Sequence, residues 1–369
     1  MRIRSRDISA FSGIKGVNIN INSFYFLVYF AFQQIGFRFR EYNFPLDQST
    51  LCRIGNPYIY ISHLGARRIL LTTTCAAPGK IYLFGEHAVV YGEPAIACAV
   101  ELRTRVAVKR SNDISISSNI GTTGLDFQMH PYVSSAIQEL GSPDVSIEIT
   151  SRIPVGSGLG SSAAVTVATL EAINIECGLG YDKTNIAKMA HEIEQTVQGA
   201  ASPTDTFVST FGGVVEITSR KKLDILDCGI VIGNTNKGAS PKKTSQLVKQ
   251  VAQLKKEYPD LIDPIIKIIG SFARHGETIV MQKNYRELGK LMNVNHGLLD
   301  ALGVCTMELS SLVYAARNAG AYGAKLTGAG GGGCMVALTD SPEKVANAIE
   351  KAGGSAIISS FTPDGVLQV

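Results

Sequence analysis

The residues with the greatest chemical consequence lie in the run Ile153-Pro154-Val155-Gly156-Ser157-Gly158-Leu159-Gly160-Ser161-Ser162-Ala163-Ala164. Three glycines at alternate positions let successive backbone N–H groups crowd around a polyanion with no side chain in the way. The stretch that follows, Ala163 to Ile175, is rich in Ala and free of Gly and Pro, and reads as a helix. Its first turn aims free N–H groups and the positive end of its dipole at the same spot. The chemistry is that of a phosphate cradle, formed by Pro154, Gly156, Ser157, Gly158, Leu159, Gly160, Ser161, Ser162 and Ala163. Ser161 and Ser162 are placed either to cap the helix or to offer a hydroxyl to a magnesium ion. A plain glycine turn ahead of a capped helix needs one glycine, not three. No Gly-Lys-Ser/Thr closes the loop as in a Walker A motif, and its spacing is not that of a dinucleotide fold.

Two further runs stand out. In Pro78-Gly79-Lys80-Ile81-Tyr82-Leu83-Phe84-Gly85-Glu86-His87, the polar Lys80, Glu86 and His87 are set in an apolar strand-and-turn context. A strand-borne lysine ordinarily snorkels outward, so Lys80 alone would carry little weight. A formal G-x-G-x-x-G occurs at Gly328, Gly330 and Gly333, but it leads into an apolar strand, Cys334 to Leu338, where a Rossmann fingerprint opens a helix. The glycines there (Gly328, Gly330, Gly331, Gly332) suit a hairpin that another backbone approaches closely, and the expected neighbours are the first motif and the phosphate loop.

These residues need elements to hold them. Lys80 to Phe84 and Ala95 to Val100 are apolar runs on either side of a loop. Arg103 to Lys109 and Val145 to Ile149 alternate as half-buried strands. Asp182 to Val197 is a helix with Ile186, Ala190, Ile193 and Val197 on its buried stripe. Gly212 to Ile217 reads as a strand, and the charged stretch Ser219 to Asp227 marks a domain boundary. Beyond it, helical stretches (Thr244 to Glu257, Asn284 to Leu299, Thr306 to Ala319, Pro342 to Lys351) mix with short strands at Ala324 to Leu326, Cys334 to Leu338 and Ala356 to Ser360. Such mixing predicts α+β layers.

The 369 residues suffice for two domains, and 45% hydrophobic against 18% charged residues is a globular profile. A net charge of +4, with no dense basic run and no interleaved aromatics, argues against nucleic acid as a partner. Seven scattered cysteines, odd in number and never in a C-x-x-C pair, argue against zinc and a disulfide framework and fit a reducing cytoplasm. The segment before Leu70 differs in character. Its aromatic run, Phe24 to Phe32, is too short to span a bilayer, and Gln33 and Gln34 follow it in place of a small-residue cleavage site. No membrane partner is expected. Residues 1–70 are expected to be an atypical extension outside the catalytic fold, either disordered or translated from an upstream start that the native protein does not use.

The three motifs in order, Pro78-Gly79-Lys80 through Gly92, Pro154 to Ala164, and Lys325 to Gly333, resemble those of the small-molecule kinases named for galactokinase, homoserine kinase, mevalonate kinase and phosphomevalonate kinase, the GHMP kinases. The resemblance runs from about Arg68 to the C-terminus, around four-fifths of the chain. It implies an α+β, two-domain fold: an ATP-binding domain over 71–226 with a left-handed βαβ unit, and a ferredoxin-like C-terminal domain over 227–369.

Within the family, Gly85-Glu86-His87-Ala88-Val89-Val90-Tyr91-Gly92 is similar to the branch whose alcohol is mevalonate. A galactokinase would follow Gly-Glu-His with Thr-Asp, where Ala88-Val89 stands. The implied activity is transfer of the γ-phosphoryl group of ATP, with Mg2+, to the 5-hydroxyl of mevalonate in isoprenoid synthesis. The implied catalytic residues are Asp205, in Ser202-Pro203-Thr204-Asp205, and Lys80. On sequence alone, an Asp after Pro-Thr is more simply a turn or N-cap residue, and Pro203-Thr204 depart from the family's usual pair. Glu194, eleven residues earlier on the border of the helix's apolar stripe, falls where the family places a magnesium ligand, to act with Ser162; Glu192 is the alternative carboxylate. The resemblance sets Lys80, Glu86, His87, Asp205 and Thr244 near the substrate; Lys237, Lys242 and Lys243 in the loop before Thr244 suit either a carboxylate substrate or a solvated loop. It leaves a homodimer open, as it does a kinase for another small alcohol or a non-catalytic metabolite sensor on the same fold.

Overall fold

The computed structural model describes residues 72–199, 202–235 and 244–369. The expectations for residues 1–70 and for Lys237, Lys242 and Lys243 fall outside the described residues.

Two long strands, β1 (Thr73–Phe84) and β2 (Ile96–Arg110), pair antiparallel at the centre of the first sheet. β1 is buried on both faces, as its near-continuous apolar run requires. β2 begins that way and then alternates, with Val106 and Val108 inward and Arg105 and Lys109 outward. β3 (Ser115–Ser118), β4 (Gly121–Thr123) and β5 (Val145–Ser151) complete one side, in the order β1-β2-β5-β3-β4. β3 and β5 run parallel, joined through β4 and helix α1 (Pro131–Glu139).

Helix α2 (Ser161–Cys177) lies against β1 and β2 and is buried on most sides, as an Ala-rich helix with apolar residues all round should be. Around it pack α3 (Lys183–Gln198), whose N-cap Asp182 accepts from the Asn185 N–H at 2.8 Å, and α4 (Pro203–Phe211). β6 (Val214–Glu216) and β7 (Lys221–Leu223) finish this sheet. The predicted strand from Gly212 starts two residues late because Gly212 caps α4.

The second sheet holds β8 (Gly229–Asn234), β9 (Gly323–Leu326), β10 (Cys334–Thr339) and β11 (Ser355–Ser359), all antiparallel in the order β11-β8-β10-β9. Helices α5 (Thr244–Glu257), α6 (Pro259–Met281), α7 (Tyr285–Ala301) and α8 (Met307–Asn318) connect β8 to β9, and α9 (Pro342–Lys351) connects β10 to β11. This is the βαββαβ order of a ferredoxin-like unit, with its first helical connection enlarged.

The 23-residue α6 was not marked by any sequence signal above. Pro264 lies inside it and Gly270 and Gly276 interrupt its pattern, residues that read as breakers. The glycines serve packing: a Cβ on Gly276 would lie 2.6 Å from the Phe84 ring at the end of β1. The chain end then leaves the second sheet. Val100 bridges to Phe361, and β12 (Leu367–Gln368) pairs with β1, so the last residues belong to the first sheet and not to 227–369 as a block. Among the described residues no helix is long and apolar enough to cross a membrane.

Candidate active site

Lys80 sits in the middle of β1 with only 3% of its surface exposed. Its Nζ lies 3.2 Å from Asp205 Oδ1, donates to the Gly158 carbonyl at 3.1 Å, and stands 4.5 Å above the Tyr82 ring. The backbone explains the inward turn. The Lys80 N–H donates to the Leu159 carbonyl at 2.8 Å, so the glycine loop is laced to β1 at this residue. Asp205 comes from the first turn of α4, which the N-cap Ser202 and Pro203 at N1 start cleanly. Sequence alone favoured a turn or cap residue at Asp205, and the segment is instead a short helix whose first-turn N–H groups favour a negative charge.

The loop uses the conformational freedom of its glycines. Gly156, Gly158 and Gly160 all have φ between 70° and 78°, a region closed to most side chains. Neither serine caps α2. Gly160 is the N-cap in the left-handed conformation with no side-chain cap bond, so no side chain caps the N–H groups of the first turn. Leu159 and Ala163 are fully buried, and the Ser157 hydroxyl donates to the Pro154 carbonyl at 2.6 Å, so these three side chains are engaged within the protein.

The Ser162 hydroxyl donates to Glu194 Oε1 at 2.6 Å, and Gln198 Nε2 reaches both at 3.3 Å. Glu194 is 2% exposed; the alternative carboxylate, Glu192, is half exposed and faces Lys188. Burial, and after it the negative charge of Asp205, push the Glu194 carboxyl up to about 7, with Ser162 and Lys80 pulling the other way. Among the described residues there is no cluster of three metal-ligating His, Cys, Asp or Glu side chains.

Glu86 and His87 close the far side. His87, at φ 62°, is buried and its Nε2 is 2.9 Å from the Ala329 carbonyl; since a carbonyl only accepts, Nε2 carries the proton. Burial lowers its pKa, which keeps the ring neutral. The glycine hairpin between β9 and β10 meets the phosphate loop backbone to backbone. A Cβ on Gly328 would be 3.0 Å from the Gly158 carbonyl, and one on Gly333 2.9 Å from that of Ser157. Gly330 and Gly331 turn instead toward Val304 and Leu247. Thr327 Oγ1 accepts from the Tyr82 N–H at 2.8 Å, tying the hairpin to β1. Thr244 begins α5 on an exposed face, apart from these contacts.

Three residues to which the sequence assigns no role also belong here. Tyr82, 6% exposed, lies beneath Lys80 and is linked through its hydroxyl to Ser202 and Thr204 in the turn that presents Asp205. Burial and the charge of Asp205 raise its phenol well above the ordinary value, so it stays protonated. Lys325, fully buried in β9, is paired with Glu86. Behind it, His296 of α7 is 4% exposed and its Nδ1 accepts from the Leu326 N–H at 3.3 Å.

Burial, with the charges of Arg317 and Lys325, holds the His296 ring down to about 4, against an ordinary 6.5. The unfolded chain therefore takes up this proton first as pH falls. The stability from neutral His296 is whole above about pH 6.5 and is lost as pH falls through about 4, a total of about 3 kcal/mol. Urea midpoints between pH 8 and 4 for the wild type and His296→Gln test this, and the wild type is expected to lose more over that range by about that amount. Parallel curves would remove His296 as the cause.

The family model of the GHMP kinases N terminal domain matches residues 131–213, and that of the GHMP kinases C terminal matches residues 277–356. The chain is 44% identical over 324 residues to the mevalonate kinase of Pyrococcus abyssi, covering 79% of this chain and 96% of that protein. It is 42% identical over 267 residues to the mevalonate kinase of Archaeoglobus fulgidus, covering 71% and 91%. The crystal structure of the Methanococcus jannaschii mevalonate kinase superposes with a TM-score of 0.71 at 30% identity, covering 80% of this chain and 99% of that one. Identity at this level over nearly the whole length of such relatives leaves one conclusion: the chain belongs to the GHMP kinase family.

Proposed function

We propose that this protein transfers the γ-phosphoryl group of ATP to the 5-hydroxyl of mevalonate, a step of isoprenoid synthesis. The observation that carries the reading is the position of Lys80, whose one ammonium contacts both Asp205 and the glycine loop. An alcohol beside Asp205 would thereby lie next to phosphates held on the loop. The choice of mevalonate rests on the names of the relatives and on the Gly-Glu-His-Ala-Val-Val-Tyr-Gly run.

The first-turn N–H groups of α2 and the main chain of Gly156 to Ser162 hold the phosphates. Asp205 orients the alcohol and accepts its proton late, since phosphoryl transfer depends mainly on positioning and charge stabilisation. Lys80 offsets the negative charge that grows on the alcohol oxygen. Ser162 and Glu194 would hold magnesium. Both are hard oxygen donors, and a buried carboxyl pushed up to about 7 is one that a cation would return to its charged form. When bound, the ion supplies charge neutralisation to the phosphate oxygens. The cysteines of the described residues are free, which supports a reducing compartment such as the cytoplasm.

A panel of mevalonate, phosphomevalonate, galactose and homoserine with ATP and magnesium tests the reading. Mevalonate is expected to be turned over with the highest kcat/KM. A higher value for another alcohol would reassign the substrate, and no turnover of any would leave a sensor on a kinase fold.

A further inference from the structure

Glu86 and Lys325 are 239 positions apart in sequence, on different sheets' margins, and both are removed from water: the side chains are 1% and 0% exposed. Lys325 Nζ donates to Glu86 Oε1 and, at 2.7 Å, to the Leu326 carbonyl. The other carboxylate oxygen, Glu86 Oε2, is buried and has no hydrogen-bond partner among the described residues. A pair of this kind is costly. Desolvating two charges consumes most of what their attraction returns, and a buried acceptor left unpaired adds a further cost. An apolar pair of the same volume would hold β9 against the Gly-Glu-His turn at least as well, so stability alone gives no reason for two charges here.

We propose that Lys325 is a positioning residue of the substrate site, holding Glu86 as a carboxylate through Oε1 so that Oε2 stays oriented to accept a hydrogen bond from a hydroxyl of the substrate. The proposal rests on the reading of Glu86 as a mevalonate contact. Lys325 does not touch the substrate. It acts through Glu86, and its second bond, to the Leu326 carbonyl, fixes the ammonium so that the carboxylate cannot rotate freely. The same strand leads directly into Thr327 and the glycine hairpin, so Lys325 also sets Glu86 in register with the hairpin that abuts the phosphate loop.

The groups facing this pair are few. His87 adjoins Glu86 and Tyr82 faces it from β1, while Lys80 and His296 act on Lys325 from β1 and α7. His87 and His296 are both lowered from 6.5 and Tyr82 is raised, so none of these three changes charge between pH 7 and 9. The Glu194 carboxyl, pushed up to about 7, titrates in wild type and variant alike, so a pH dependence of substrate affinity that only the Lys325 variant shows reports Glu86.

The test is steady-state kinetics with mevalonate and ATP varied separately from pH 7 to 9. It compares the wild type with Lys325→Met and with the neutral pair Lys325→Met/Glu86→Gln. Turnover of mevalonate by the wild type is measured first; its failure would remove the functional reading and not the Glu86–Lys325 coupling. In Lys325→Met, KM for mevalonate is expected to rise about tenfold or more at pH 7, because a buried carboxyl without its counter-charge takes up a proton. It should then fall as pH rises and Glu86 ionises again. KM for ATP should stay within about twofold. A purely structural lysine would lower kcat or stability without changing the pH profile of KM, and an unchanged KM or a profile parallel to the wild type's would overturn the proposal. Should Lys325→Met fail to fold, the double variant, which leaves no buried charge unpaired, decides the matter. Its KM for mevalonate is expected to be raised and independent of pH, and a wild-type KM there would overturn the proposal.

Discussion

Asparagine in place of Asp205 is expected to lower kcat by about three orders of magnitude, the middle of the range for removing a positioned general base. The substitution is nearly isosteric. It keeps an oxygen that can accept from Lys80 Nζ, 3.2 Å away in the wild type, and it leaves α4 its N-cap at Ser202. What it removes is the negative charge and the ability to take a proton. The Lys80 ammonium then has no counter-charge on the alcohol side, and the alcohol has nowhere to send its proton as the bond to phosphorus forms. ATP affinity should change by no more than about twofold, because in the proposed reading the phosphates rest on main-chain N–H groups of the loop and not on the Asp205 carboxylate. Single-turnover rates, measured beside equilibrium nucleotide binding, separate the two effects. A kcat near wild type would refute the role, and a matched loss of nucleotide affinity would move Asp205 to the phosphate side.

Local patterns made much of this site legible. The alternate glycines and the helix after them are a contiguous signal, and the φ values of Gly156, Gly158 and Gly160 are what that spacing demands. Glu194 was singled out by the family resemblance; its place on the border of an apolar stripe is consistent with its burial but alone would read as a solvated carboxylate. The residues that pair across the molecule left no such trace. Lys325 in its strand looks like any lysine in a short apolar run, and nothing in spacing links it to Glu86. Tyr82 reads as one more apolar strand residue. α6 was hidden for the opposite reason: Pro264, Gly270 and Gly276 are strong local breakers, and tertiary packing against Phe84 and Glu93 outweighs them. The return of the chain end to β1 was equally out of reach, since two residues of strand carry no periodic signal.

That return gives the largest expected effect on stability. Gly212 ends α4, seven residues after Asp205, at φ 66° and ψ −171°, a region that essentially only glycine enters. A Cβ there would lie 2.3 Å from the Asp364 carbonyl carbon and from the Gly365 nitrogen, both main-chain atoms that no rotamer change can move. The tail is fixed from its other side as well. The buried Arg103 guanidinium donates to the Gly365 carbonyl at 2.9 Å, to that of Asp364 at 3.3 Å and to the Thr362 hydroxyl at 3.1 Å, while the Val366 N–H donates to the Thr210 carbonyl at 3.2 Å. Gly212→Ala must therefore either displace the tail from Arg103 or shift the end of the helix that carries Asp205. Backbone strain of about 1–3 kcal/mol and overpacking of a similar size combine to about 3–5 kcal/mol. In a chain of this length that is on the order of 10 °C in Tm. Activity should fall with it, since α4 is only nine residues long and cannot absorb a shift at one end without moving the other. The next residue supplies the control. Gly213 also has positive φ, 84°, but nothing lies within 4 Å of the position of its Cβ, so Gly213→Ala is expected to cost only the conformational strain, about 1 kcal/mol. Denaturation midpoints for the two variants distinguish contact from conformation. Equal losses would mean that left-handed strain dominates at both positions, and that the tail does not buttress the catalytic helix.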